Sequence, residues 1–135
     1  MKSTLAAGVT VTRRIGVGRD RTIDFMGEKA RVYATPMLVR DIEMTCRELL
    51  LQHLDPGEDS VGTRVEVDHL APTLLGMTVE ITATVTDVKG RAVSFDVTAT
   101  DGVDAICRGK HNRFVVDVAQ TEARLAAKAK KAGLA

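Results

Sequence analysis

The sequence predicts an α+β domain, in which one long helix packs against an antiparallel sheet. Three observations indicate this arrangement: one segment of helical period near residues 35–54, a nearly continuous series of strand patterns from Val61 to Val118, and a short strand pattern before the helix. The chain has 135 residues without an internal repeat or a Pro-rich linker. We therefore expect one domain over residues 1–118 and a solvated helical tail over residues 119–135.

The elements before the sheet are a short strand, a loop and the long helix. Val9–Val17 contains β-branched residues between two glycines, which is typical of a strand. Arg19–Val32 has no clean period and is expected to be a loop or a broken helix. Thr35 and Pro36 predict a helix start, with Thr35 as N-cap and Pro36 at the first helical position. The helix should be about five turns long and covered on most sides. Its polar strip is expected to comprise Arg40, Asp41, Arg47 and Glu48.

The strands after the helix are predicted from alternation and from turn residues. Thr63, Val65, Val67 and His69 alternate with charged residues, so these four are expected to face inward. Hairpin turns are predicted at residues 89–90 and 101–102. The four strands should then follow one another as a meander. Because one helix cannot cover such a sheet, we expect a sheet edge or face to be shared in a homodimer.

Composition excludes several classes of protein. The 19 basic and 18 acidic residues nearly cancel, so no nucleic-acid partner is expected, and the basic residues near the C-terminus are too few to change this. No apolar run reaches about 18 residues, and the N-terminal segment lacks a signal-peptide core, so no membrane association is expected. The two cysteines predict buried, reduced thiols. These observations favour a cytoplasmic protein.

Polar residues at predicted core positions are the candidates for chemistry, since no short catalytic, phosphate-binding or metal-binding motif is present. No cofactor or metal is expected. His69 ends an inward alternation and would serve as a general acid or base, or alternatively as a structural histidine. Glu43 lies at the margin of the apolar helix stripe and would activate water, or remain an exposed glutamate. Thr35 would cap the helix or contact a carbonyl at its N-terminus. Arg113 follows an alternating stretch and would bind a carboxylate or another ligand oxygen through its rigid donor fork, or be a surface charge.

The order and spacing of these residues resemble the fluoroacetyl-CoA thioesterase group of hotdog-fold proteins. The matching runs are Tyr33-Ala34-Thr35-Pro36-Met37, Glu43-Met44-Thr45-Cys46, Leu54-Asp55-Pro56-Gly57-Glu58, Ser60-Val61-Gly62-Thr63 with His69, Asp101-Gly102-Val103-Asp104, and Gly109-Lys110-His111-Asn112-Arg113. No insertion or deletion is needed between Thr35 and Arg113. The resemblance implies a hotdog fold and an acyl-CoA thioesterase that releases a free acid and coenzyme A.

The resemblance also implies roles for individual residues. Thr35, Glu43 and His69 would form the catalytic group, while Gly62 and Arg113 would place the water or the carbonyl. We expect this group to lie at a dimer interface. Two alternatives stay open: a non-catalytic acyl-CoA binding or sensing module, and a hotdog hydratase or dehydratase. The candidates for holding the coenzyme A phosphates are Arg64, Lys89, Arg91 and Lys110.

Overall fold

The computed structural model describes residues 1–134, which form one antiparallel sheet with a long helix packed against it. Two single-turn 3₁₀ helices, Arg19–Arg21 and Glu28–Ala30, occupy the loop before the long helix. The elements in chain order are β1 (Thr10–Gly16), α1 (Thr35–Leu51), β2 (Glu58–His69), β3 (Thr78–Lys89), β4 (Ala92–Thr100), β5 (Ala105–Asp117) and α2 (Val118–Lys131). The predicted first strand, broken loop, long helix and terminal helix are thus all present.

The strand order corrects the predicted meander. The sheet runs β1-β3-β4-β5-β2, so only β3, β4 and β5 follow one another as neighbours. β2 pairs with β5, from Glu58 opposite Asp117 to His69 opposite Cys107. Alternation identifies a strand but not its partner, so this crossover could not be predicted from the sequence. The consequence is that β2 is an edge strand, with one row of backbone groups unpaired within the chain.

The start of α1 corrects the predicted cap. Ala34 has the extended backbone of an N-cap, with φ −74° and ψ 137°, and Thr35 is the first helical residue. Pro36 is then the second helical residue, where a missing N–H is still tolerated. The Thr35 hydroxyl makes no capping hydrogen bond. It is therefore available to another partner.

One face of α1 is buried on the inner face of the sheet. Leu38, Ile42 and Leu50 are at most 1% exposed and pack into the same core as Phe95 and Ile81 of the sheet. Each such side chain contributes about 1.5–3 kcal/mol by leaving water. The core therefore fixes α1, and with it the positions of the polar residues along the helix.

Asp41 does not belong to the predicted polar strip, because its side chain is buried. Helical period alone places it beside Arg40, but Arg21 from the preceding loop reaches over and pairs with its carboxylate. A buried carboxylate needs such a partner. The ion pair ties the loop to the helix.

A β-bulge changes which residues of β2 face inward. The register with β5 shifts between Gly62 and Arg64, which leaves Thr63 without a partner in the ladder. Gly62 lies opposite the buried Arg113, and Val65 opposite the buried His111. Thr63 is therefore not the inward residue that alternation predicted, because a bulge adds one residue to the period of two. Gly62 takes that place.

The remaining sequence expectations concern the cysteines and the membrane. Cys46 and Cys107 are free and buried, as predicted. Burial raises the pKa of Cys46 to about 12 and that of Cys107 to about 11, so both are held as thiols. No helix within residues 1–134 combines the length and apolar character needed to cross a membrane.

Candidate active site

The first group of candidate residues is the Thr35–His69 corner, where the start of α1 meets the end of β2. Thr35 Oγ1 lies 2.8 Å from His69 Nδ1. The other ring nitrogen, Nε2, is the one buried side-chain nitrogen or oxygen within residues 1–134 that has no hydrogen-bond partner. Burial lowers the pKa of His69 below its ordinary value. The imidazole is therefore neutral near pH 7, with one nitrogen on the threonine and one free for a ligand.

A buried polar network holds the ring that borders His69. The Tyr33 ring stands edge-on to the His69 ring, with centroids 6.2 Å apart and planes at 81°. Its hydroxyl donates to the carboxylate of Asp41. Arg21 binds the same carboxylate through Nε at 3.0 Å and Nη2 at 3.2 Å. Tyr33 is only 1% exposed, so the network gives His69 a fixed wall.

A cavity of about 370 Å³ opens at the Thr35–His69 corner. Thr35 and His69 form its polar part, and its remaining walls are mainly apolar, formed by Ile23, Phe25, Val32, Tyr33, Leu70, Ala71 and Pro72. Apolar walls around a few polar groups are typical of a small-molecule site. Thr35 and His69 thus line a space that a small apolar group can occupy.

The second group is the Arg113 corner, which comprises Glu43, Ser60, Gly62, His111 and Arg113. The guanidinium of Arg113 donates from Nε to Ser60 Oγ and from Nη2 to the Ser60 carbonyl, both at 2.7 Å. Nη1 lies 3.2 Å from His111 Nε2. Burial lowers the pKa of Arg113 and the nearby charge of Glu43 opposes that shift; the guanidinium stays charged at neutral pH because its ordinary value is so high. The predicted inward position of Arg113 is confirmed, since it is 5% exposed.

Glu43 and Gly62 meet at the open side of the Arg113 corner. A Cβ added at Gly62 would overlap Oε1 of Glu43 and lie 3.6 Å from Nη1 of Arg113. Only glycine therefore leaves room for the carboxylate here. Within residues 1–134 the Glu43 carboxylate accepts no hydrogen bond and forms no ion pair. It faces the corner with its acceptors free.

His111 is the residue of this corner that sequence reasoning missed. It is fully buried and stacks on Phe95 of β4, with ring centroids 6.3 Å apart. The signal was present, because His111 lies on the same inward alternation as Arg113. That alternation was used only to place the arginine.

The two corners lie far apart in one chain. Thr35 and Glu43 are eight residues apart on α1, which separates them by about 12 Å along the helix axis. The Glu43 carboxylate contacts Gly62, and Gly62 and His69 are seven residues apart on β2, about 20 Å along the strand. One chain therefore brings Thr35 to His69, and Glu43 to Gly62 and Arg113, but does not bring these two groups together.

The basic residues considered for coenzyme A differ in their pairing. Arg64 pairs with Glu66, Arg91 with Glu58 and Lys110 with Asp96. Lys89 makes no ion pair within residues 1–134. The pairs of Arg64 and Lys110 are exposed and therefore weak, whereas Glu58, the partner of Arg91, is only 11% exposed.

Comparisons with known proteins agree with this architecture. The family model for the fluoroacetyl-CoA-specific thioesterase matches residues 17–119. A fluoroacetyl-CoA thioesterase from Streptantibioticus cattleyicolor is 40% identical over 98 residues, which is 73% of this chain and 70% of the relative. A crystal structure of a variant of the fluoroacetyl-CoA-specific thioesterase superposes with a TM-score of 0.86 at 34% identity, covering 94% of this chain and 99% of that one. A Thermus thermophilus member of the thioesterase superfamily gives a TM-score of 0.88 at 26% identity, over 98% and 99% of the two chains.

The sheet wrapped on one long helix, together with these structural relatives, places the chain in the class of hotdog-fold thioesterases. A narrower assignment follows from two findings: the family model matches residues 17–119, and the Streptantibioticus cattleyicolor relative is 40% identical over 73% of this chain. The chain belongs to the fluoroacetyl-CoA-specific thioesterase family, and it is a thioester hydrolase that acts on acyl-CoA.

Proposed function

We propose that the chain is a homodimer that hydrolyses a small acyl-CoA at a site built from both subunits. The observation that carries this proposal is the separation of the two corners. His69 has a free buried nitrogen at a cavity, Glu43 has a free carboxylate, and within one chain they are too far apart to act on one thioester. A two-fold axis relates like surfaces of two subunits, so it would supply each Thr35–His69 corner with the Arg113 corner of the other subunit.

The edge strand β2 is the surface we propose for this dimer. Antiparallel pairing of two β2 strands centred near Glu66 would set His69 of one subunit opposite the Gly62–Thr63 bulge of the other. On the inner face Val65, which is 36% exposed, would then lie opposite Val67. On the outer face Arg64 would lie opposite Asp68. The apolar and opposite-charge pairs favour this register, while the two Glu66 carboxylates at its centre, which lie opposite each other, oppose it.

The proposed reaction adds water across the thioester carbonyl. Glu43 and His69 together take a proton from the water as its oxygen attacks the carbonyl carbon, and the carbonyl oxygen becomes an oxyanion. Arg113, Gly62 and the N-terminus of α1 position the water and stabilise that negative charge. The C–S bond then breaks. A thiol with a pKa of about 8.5 leaves readily as thiolate and regains the proton.

Thr35 has one of two roles in this scheme. Which role it has depends on which nitrogen of His69 bears the proton. If Nδ1 accepts from the Thr35 hydroxyl, the threonine oxygen becomes a nucleophile. If Nδ1 donates to Thr35, Nε2 is the base and the threonine orients the ring and the carbonyl. Thr35→Ser keeps an attacking hydroxyl and Thr35→Ala removes it. An acyl-enzyme burst in the natural chain that Thr35→Ala abolishes would assign the nucleophilic role.

The acyl group in this proposal is short, and fluorine is not required. The relative of this family has also been solved with acetyl-CoA bound to one of its variants. The loop before α1 contributes two aromatic residues, of which Tyr33 is fixed to Asp41 and Phe25 is 78% exposed. Tyr33 is thus a fixed wall beside His69, and Phe25 is a mostly exposed part of the cavity lining. We expect fluorinated and plain two-carbon thioesters to be hydrolysed with efficiencies within about tenfold.

The experiment is release of free thiol from a panel of short, branched, aromatic and fluorinated acyl-CoAs, with His69→Ala and His53→Ala as matched variants. His53 contacts Thr4 outside both corners. His69→Ala should lose about 10²–10⁴ in kcat while its folding is retained, and His53→Ala should retain its rate. Binding of acyl-CoA without turnover by the natural chain would instead establish a binding or sensing module.

The proposed location is the cytoplasm, where coenzyme A thioesters would be available to the site. The buried thiols of Cys46 and Cys107 support it, since reduced cysteines persist in a reducing compartment. Fractionation of the source cells tests it directly.

A further inference from the structure

The buried histidine beside Arg113 has a protonation state that its neighbours define. His111 Nδ1 lies 2.7 Å from the backbone carbonyl of Arg64. A carbonyl can only accept, so Nδ1 bears the proton. In the neutral ring Nε2 then has a lone pair, and it lies 3.2 Å from Nη1 of Arg113, which can only donate. One tautomer alone satisfies both contacts.

We propose that His111 is a positioning residue whose neutral ring, protonated at Nδ1, accepts from Arg113 Nη1 and fixes the guanidinium beside Glu43 and Gly62. The other two arms of Arg113 are held by Ser60. His111, with the Glu43 backbone carbonyl at 3.5 Å, thus holds the arm that is nearest to the open side of the corner. The catalytic consequence of this inference rests on the proposed function, in which Arg113 positions water or carbonyl.

The surroundings of His111 favour the neutral ring. The ring is fully buried, and its neighbours from the packed elements are Arg113 on β5, Glu43 on α1, the Arg64 carbonyl on β2 and the uncharged Phe95 on β4. Burial lowers the pKa of His111, with a further lowering from the charge of Arg113, against the opposing effects of the Arg64 carbonyl and Glu43. Protonation would place a second N–H against Nη1 and remove its nearer acceptor, leaving the Glu43 backbone carbonyl at 3.5 Å. This arm of the guanidinium would then be held by the longer contact alone.

The first test reads the tautomer without reference to activity. The chain has three histidines, so long-range nitrogen–proton NMR of the intact protein can be assigned by replacing each in turn. His111 should be neutral with its proton on Nδ1 at about pH 6.5, where a free histidine is half protonated. A proton on Nε2, or half protonation at that pH, would overturn the proposal.

The second test separates an acceptor from mere packing. His111→Phe keeps a ring against Phe95 and removes the acceptor, whereas the side-chain oxygen of His111→Gln can still accept from Arg113. We expect kcat to fall about 10- to 100-fold in His111→Phe with KM little changed, and to stay within a few-fold of the natural value in His111→Gln. His53→Gln is the control for loss of an imidazole elsewhere.

Two kinetic results would contradict the inference: unchanged kcat in His111→Phe, or equal losses in both variants, which would assign the effect to packing. If His111→Phe does not fold, the proposal is still decided by the tautomer of His111 in the natural chain and by the kcat of His111→Gln. If the natural chain hydrolyses no thioester, the proposed function fails, and the NMR result alone accepts or rejects the Arg113 contact.

Discussion

The Thr35–His69 corner and the Arg113 corner are built in opposite ways. At the first, His69 has one nitrogen on Thr35 and a second, buried nitrogen without any partner, beside an open cavity. At the second, all three guanidinium nitrogens of Arg113 have a polar neighbour before any ligand binds. An unpartnered buried nitrogen lowers stability but is free to bind a ligand, whereas a guanidinium held by several hydrogen bonds is fixed in position. The contrast teaches that the two corners offer a ligand different groups, an unpartnered nitrogen at the first and a cation already held in place at the second.

The largest loss of activity is expected from Gly62→Ala in the Arg113 corner. The added Cβ fills the space that the Glu43 carboxylate occupies. The carboxylate must move, so kcat/KM should fall about 100-fold, with little change in the free energy of unfolding, because the nearest atom is the far end of a flexible side chain. Gly16→Ala is the matched control, because no atom lies within 4 Å of the added Cβ. Steady-state kinetics and urea unfolding measure the two effects. Full activity in Gly62→Ala would show that the Glu43 contact is irrelevant to catalysis.

A smaller effect is expected on the dimer dissociation constant, because the proposed site joins the corners of two subunits. Arg64→Asp would set like charges opposite each other across two paired β2 strands, at Asp68 of the other subunit. The dimer dissociation constant should rise about tenfold or more, since two such pairs are lost and two repulsions gained. Arg64→Asp combined with Asp68→Arg should restore it. Sedimentation of the three chains measures this, and an unchanged constant in Arg64→Asp would place the dimer surface elsewhere.

The smallest effect is on the pH dependence of stability, to which one histidine of each corner contributes. Burial lowers the pKa of His69 and of His111, so below about pH 6.5 the unfolded chain binds more protons than the folded chain. The stability is therefore complete above that pH and is lost as the pH falls, by at most about 1.4 kcal/mol per pH unit for each histidine. Urea unfolding across this range should show a shallower loss in His111→Gln. Equal slopes in the two chains would mean that His111 titrates normally when folded.

The sequence predicted the elements of this fold better than their neighbours. The helical period of α1 and the alternation in β3, β4 and β5 are local patterns, and the structure confirms them. The pairing of β2 with β5 is a contact between distant segments that period does not encode. The bulge at Thr63 is likewise not predicted by the sequence, because one added residue reverses the faces of a strand without changing its composition.

The candidate residues show the same division. Their spacing resembled a known family, which the comparisons confirm, but their individual roles remain predictions. The sequence predicts Thr35 as an N-cap because threonine followed by proline usually caps a helix, yet its hydroxyl contacts His69. The helical period predicts Asp41 on a polar strip, because no local pattern indicates that Arg21, 20 residues earlier, pairs with it. In both cases the deciding partner came from another element.

The most direct test of the two-subunit site is a mixed dimer of Glu43→Gln and His69→Ala chains. Each variant alone should be almost inactive. In a mixed dimer, one of the two sites joins an intact Glu43 corner to an intact His69 corner, so an equal mixture after subunit exchange should recover about a quarter of the natural activity. Recovery at that level is the result we predict. A mixture no more active than its parts, although mixed dimers have formed, would contradict a site shared between subunits.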